Sequence, residues 1–166
     1  SVNDGLLRLE NTNTCNFVRS YDYEIIVRVF FKQIDEITAE SASTYTAIDT
    51  LFLEKLNFYN NALSSSTLTL DADEIFVQGK NSSETLLSGK TRVLKGTIEE
   101  VSNLDASNLQ ADEALLDTHT PYDCYIQAIQ GIYVNIYNSG NIYYAQEPSD
   151  YKLTGVVRGG GKLLKK

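Results

Sequence analysis

The segment SYDYEIIVRVFFK, residues 20–32, alternates well. Tyr21, Tyr23, Ile25, Val27, Val29 and Phe31 fall on one side of an extended chain, and Asp22, Glu24, Arg28 and Lys32 on the other. A period of two built from β-branched and aromatic residues predicts a strand, because a helix would scatter these side chains around its circumference. Ile26 and Phe30 stand on the otherwise polar side. The second face of this strand is therefore also expected to meet something apolar.

The pattern then changes. Ile37, Ser41, Tyr45, Ile48, Leu51, Phe52, Leu56, Tyr59 and Leu63 follow three-to-four spacing, which predicts an amphipathic helix over about 44–62. Thr46 and Asp49 fit a loose capping box, and Asn60, Asn61 and Ser64–Ser66 supply an end. TLTL (67–70), EIFVQ (74–78) and TRVLKGTIEEV (91–101) read as strands split by the turn-like GKNSSE. In SNLDASNLQADEALLDTHT (102–120) two near-identical units, SNLDA and SNLQA, suggest a stacked β-helix. Two units are too few to bury a core by stacking. A helix presenting Leu104, Asn108, Ala111 and Leu115 is the expected form.

Seven of the eleven tyrosines lie in residues 122–151. YDCYIQAI, GIYVNIY and NIYYAQ read as consecutive antiparallel strands, with Asn138-Ser139-Gly140 as a hairpin loop. That register puts Ile132, Val134, Ile136, Ile142 and Tyr144 on an aliphatic face, and Tyr133, Asn135, Tyr137, Tyr143 and Ala145 on a tyrosine-amide face. A two-residue loop would exchange Tyr143 and Tyr144. The tyrosine face has three readings: a solvated sheet surface, a subunit interface, or a platform for a sugar. The fold class is α+β: antiparallel sheet packed against one main amphipathic helix, closed by a C-terminal Tyr-rich β-hairpin. Residues 1–157 form a single domain with a polar arm at 1–18, and 158–166 a flexible basic tail.

Charge narrows the partners. The tail RGGGKLLKK carries Arg158, Lys162, Lys165 and Lys166, leaving 10 basic against 22 acidic groups in the other 157 residues. A body this acidic repels phosphate, so sequence-specific nucleic-acid binding is not expected, while the tail is a candidate docking peptide. No apolar run reaches the ~20 residues of a membrane helix, and SVNDGLLRLE has no signal pattern, so a signal is either lacking or removed.

Chemistry is sparse. His119 is the single histidine and Cys15 and Cys124 the two cysteines, which leaves a metal site or a nucleophilic triad without support. Those cysteines are either bridged or free. Asp71, Asp73 and Glu74 hint at an ion site, but Phe76 and Ser82 stand where a calcium loop needs Gly and Glu. GVVRGGGK lacks the Ser/Thr of a phosphate loop and the helix that would follow it. Asn81-Ser82-Ser83 is a glycosylation sequon. The expectation is a non-enzyme with no cofactor.

In element order — polar arm, alternating strand, amphipathic helix, antiparallel strands, basic end — residues 20–101 resemble tail-terminator and tail-completion proteins of tailed bacteriophages. That resemblance implies a virion subunit that assembles into a ring or tube with copies of itself and other structural proteins. Ile26, Phe30, Tyr133, Asn135, Tyr137 and Tyr143 would supply the interface. The alternative is a secreted or surface β-rich recognition domain that binds glycan or protein through its tyrosine face.

Overall fold

The computed structural model describes residues 2–10, 25–149 and 154–166. The chain divides into two compact units, Ser1–Phe31 and Lys32–Lys166.

In the first unit, β1 (Val2–Asn3) and β2 (Leu6–Leu7) pair antiparallel, Val2 opposite Leu7. Asp4 and Gly5 between them both have positive φ, 48° and 80°, as a primed two-residue turn requires. Residues 25–31 form no strand ladder among the described residues. Ile26 and Phe30 are 68% and 88% exposed. Residues 11–24, which include the second part of the arm (11–18) and the start of the expected first strand, lie outside the described residues.

The second unit is a β-solenoid. Its strands are β3 (Glu36–Ala39), β4 (Ser43–Thr46), β5 (Leu51–Asn60), β6 (Ser64–Gly79), β7 (Glu84–Glu99), β8 (Asn103–His119), β9 (Cys124–Ile136), β10 (Ile142–Tyr144), β11 (Thr154–Val157) and β12 (Leu163–Lys165). Every pairing among them is parallel. Each coil lies on the next with an offset near 19 residues: Leu51 beside Leu70, Leu70 beside Gly89, Ser65 beside Glu84, Glu84 beside Asn103. Parallel strands need a long connection between partners, and here the connection is the rest of the coil.

The long strands bend. In β6 the buried residues run Ser64, Ser66, Leu68, Leu70, Ala72 and then Ile75, Val77, Gly79. Asp73 and Glu74 both point outward, so inside and outside exchange parity at a corner. Like residues thereby stack in columns inside the coil. Leu56, Ile75, Leu94, Ala114 and Ile132 are consecutive neighbours in one column, and none is measurably exposed. Burial of each large member contributes about 1.5–3 kcal/mol. A neighbouring column runs Phe58, Val77, Gly96, Leu116, Val134. A Cβ on Gly96 would come 3.0 Å from Val77 Cγ1, so the gap is already filled from above. One corner is polar inside: buried Asn60 donates through Nδ2 to Thr85 Oγ1 (3.0 Å) and Ser66 Oγ (3.2 Å), and its Oδ1 accepts from Ser64 Oγ. This satisfies an amide that would otherwise cost the coil its desolvation.

The architecture corrects the α+β expectation. No helix occurs among the described residues. The expected helix 44–62 is β4 and β5, and 102–120 is essentially β8. The misleading periodicity has a physical source. Inward positions in this stretch are Tyr45, Ala47, Leu51, Leu53, Leu56, Phe58 and Asn60; the turn at 48–50 and the corner at Glu54-Lys55 convert a period of two into intervals of three and four. The β-hairpin is corrected as well. β10 runs parallel to β9, with Ile142 beside Cys124 and Tyr143 beside Tyr125. Asn138-Ser139-Gly140 carries the chain onward around the coil: Gly140 N–H donates to Thr120 O (3.1 Å), which stacks this turn on the previous one. The basic C-terminal segment includes β12, paired with β10.

Gly89 is a position the fold cannot substitute. Its φ is +105°, and an added Cβ would sit 2.0 Å from Leu70 O. Gly89→Ala is expected to destabilise the protein by at least about 2 kcal/mol, read as a lower urea midpoint; an unchanged midpoint would contradict the assigned register.

Candidate ligand-binding face

Stacking at about 4.8 Å per coil turns residues remote in sequence into outward columns. One runs Asn57, Phe76, Lys95, Leu115, Tyr133; the next runs Tyr59, Gln78, Thr97, Asp117, Asn135. In the third, Glu99 neighbours His119, and Lys80 is ion-paired to Glu99 (3.0 Å), with Tyr137 following one coil later. These columns share one face because each occupies alternate positions of the same stretch of coil.

A shallow groove of about 420 Å³ opens on this face, lined by Phe76, Lys95, Thr97, Asp117, Tyr133 and Asn135 among others. Asn135 Nδ2 donates to Asp117 Oδ1 at 2.6 Å, which fixes the amide. Tyr59 and Phe76 pack with centroids 5.8 Å apart. The rings of His119 and Tyr137 stack at 4.2 Å and 8°, and Arg158 Cζ lies 5.5 Å from the Tyr137 centroid. Planar groups held this way lose little entropy on meeting a ligand.

Of the residues singled out from sequence, Tyr133, Asn135 and Tyr137 lie together on this face. Tyr143 does not. It stands on β10, stacked on Tyr125 at 5.3 Å, with Lys166 Nζ 4.8 Å from the Tyr125 ring. Burial pushes the Tyr125 phenol above its ordinary value, with Asp123 adding to it. Ile26 and Phe30 belong to the first unit. Among the tail cations, Lys165 pairs with Glu147 (3.2 Å) and Lys162 N–H donates to Asn141 Oδ1 (3.0 Å). Sequence reading missed Tyr59, Phe76, Thr97 and Asp117. The signal that could have found them is Ser64, Ser83 and Ser102, buried and spaced 19 apart, which marks the coil period.

The acidic corner is internally neutralised. Asp73 binds Arg92 through two bonds (2.8 and 3.0 Å), Asp71 meets Lys90 (3.1 Å), and Glu74 sits between Lys95 (2.9 Å) and Lys55 (3.1 Å). Hydrogen bonding to Arg92 holds the Asp73 carboxyl below its usual range, and hydrogen bonding to Lys95 and Lys55 does the same for Glu74. Cys124 is free and fully buried, and burial pushes its thiol up to about 12. A thiol so protonated is a poor nucleophile.

A family model described as "Putative auto-transporter adhesin, head GIN domain" matches residues 1–148. A crystal structure of a putative adhesin from Bacteroides fragilis NCTC 9343 superposes with a TM-score of 0.76 at 18% identity, over 89% of this chain and 71% of that one. At that identity the likeness carries the fold alone. No curated protein matches the chain. These findings overturn the resemblance to bacteriophage tail-terminator and tail-completion proteins, and with it the virion assignment. Strand, helix and basic end were an order of elements, and the helix on which that order turned is absent from the described residues.

Two outcomes test this chemistry. At about pH 8, iodoacetamide should leave Cys124 unlabelled in the folded protein and label it in urea, read by peptide mapping. The folded pKa of Glu74 lies below its unfolded value near 4.5, so its contribution is present above that value and fades as pH falls through the folded pKa. Glu74→Gln should therefore cost about 1 kcal/mol or less at neutral pH and flatten the acid limb of the stability curve.

Proposed function

The chain belongs to the family described as "Putative auto-transporter adhesin, head GIN domain", and from that premise we propose that it is an extracellular or cell-surface recognition domain that binds glycan through its tyrosine-amide face. The observation that carries this reading is the groove itself. The hydroxyl of Thr97, the carboxylate of Asp117 and the amide of Asn135 line it, and the Tyr133 and Phe76 rings are part of the same lining. A hydroxyl-rich ligand needs fixed donors and acceptors for its polar edges and apolar area for its ring faces. Both are present within one or two coils.

A role as binder rather than enzyme is supported by the chemistry of the titratable groups. Cys124 is buried and protonated, and the ring of His119 is held flat against Tyr137. Protein ligands remain a second reading of the same face, favoured by the exposed and half-buried aromatic area.

The test is a glycan array probed with the labelled full chain, followed by titration calorimetry on the best binder. Tyr133→Ala and Asn135→Ala should each weaken binding at least tenfold, about 1.4 kcal/mol, with thermal stability within a few degrees of the parent. Tyr143→Ala, remote from the groove, should leave affinity unchanged. Equal losses at Tyr143 and Tyr133, or no glycan bound at millimolar concentration, would sink the glycan reading.

A further inference from the structure

The groove is longer than a single sugar needs. Its lining includes Phe76 on β6, Thr97 on β7, Asp117 on β8, Asn135 on β9 and Val156 on β11, and each of these strands pairs with the next. At about 4.8 Å per strand the lining runs about 19 Å down the solenoid axis. Across the coil it is narrow. Lys95 and Thr97, Leu115 and Asp117, or Tyr133 and Asn135 bound it on their strands, and residues two apart along a strand are separated by about 7 Å.

The two long sides differ in chemistry. One column, Phe76, Lys95, Leu115 and Tyr133, is apolar. The Lys95 ammonium is drawn to Glu74 (2.9 Å), so the column receives its aliphatic stem. The column beside it, Gln78, Thr97, Asp117 and Asn135, is polar, with one amide, hydroxyl or carboxylate per coil. Among the described residues the half-buried side chains of Gln78 and Thr97 make no hydrogen bond, and Asp117 makes no ion pair.

An apolar ladder beside a polar ladder, each with one residue per coil, suits a ligand that is itself two-sided and repeats at about the coil spacing. A sugar chain with equatorial linkages is such a ligand. It is extended and advances by little more than one coil step per sugar. Its C–H faces match the apolar ladder and its hydroxyl edges the polar one. A terminal sugar would engage only one or two rungs. Charge selects further, because the unpaired Asp117 and the formal net charge of −8 repel a carboxylated or sulfated chain. We infer that the groove binds a neutral, extended glycan chain laid along the solenoid axis, about one sugar to each coil. This assignment presupposes that the face binds glycan, and adds the ligand's length, linkage and charge.

Titration calorimetry of the full chain tests it, using β-1,4-linked oligomers of glucose, mannose and N-acetylglucosamine from one to six residues. In at least one series affinity should rise about tenfold or more from disaccharide to tetrasaccharide and level off by the hexasaccharide. A β-1,4-linked uronic acid hexamer, and the α-1,4-linked glucose hexamer, which coils, should each bind about tenfold more weakly or worse. Gln78 and Asn135 are three coils apart, about 14 Å. Gln78→Ala and Asn135→Ala should each weaken the hexasaccharide roughly fivefold or more, while at most one of them affects the disaccharide, which cannot reach both. Equal losses of both ligands in both variants, affinity that stops growing at the disaccharide, or preference for the uronic acid chain would overturn the extended neutral chain and leave glycan recognition standing. Silence of all three series beside a different binder on the array would do the same. Silence of the array as well would remove both.

Discussion

The parallel hydrogen-bond register between coils is the constraint on which the second unit depends. Most strand residues from Leu51 to Glu99 pair with a neighbour 19 or 20 positions later, and that offset decides what stacks on what. Inside, it places Ile75 over Leu94 and Val77 over Gly96. Where the offset slips, as between Leu86 and Ser88 on the β7–β8 ladder, a bulge absorbs the extra residue and the columns resume. Gly89, with its positive φ and no room for a Cβ, stands at that irregularity. A solenoid tolerates outward variation but not inward drift, because one residue of slip would exchange the two faces.

The binding face is a by-product of the same register. Phe76, Lys95, Leu115 and Tyr133 are each about one coil apart in sequence and adjacent in space. No local motif encodes their proximity. The face is assembled by repetition, so its chemistry can vary column by column while the core stays constant. Asp117 and Asn135, eighteen residues apart, become a 2.6 Å hydrogen bond only because the coils are stacked. The salt bridges at the acidic corner follow the same logic, and four of the acids that make the body negative are paired across coils with lysine or arginine.

Repetition also leaves a problem at each end. A barrel removes its edges and a solenoid cannot. Family membership points to an adhesin-like domain at the cell surface or outside the cell.

The sequence by itself determined some of the extended stretches and, over short windows, which side of the strand each residue occupies. Ile132, Val134, Ile136, Ile142 and Tyr144 read as one aliphatic face and are buried, and TLTL, EIFVQ and TRVLKGTIEEV read as strands and are strands, the last as far as Glu99. These are local properties, set by pleat and propensity over a few residues. Only the tertiary structure decided where each strand goes next. After Tyr137 the chain could turn back as a hairpin or continue around a coil, and Asn138-Ser139-Gly140 is compatible with both. The stretch 44–62 could satisfy a helical period or a strand bent twice, and its apolar spacing fits both. The deciding energy is the parallel stacking of one coil on another nineteen residues away, and an interaction at that separation leaves no trace in a window of ten.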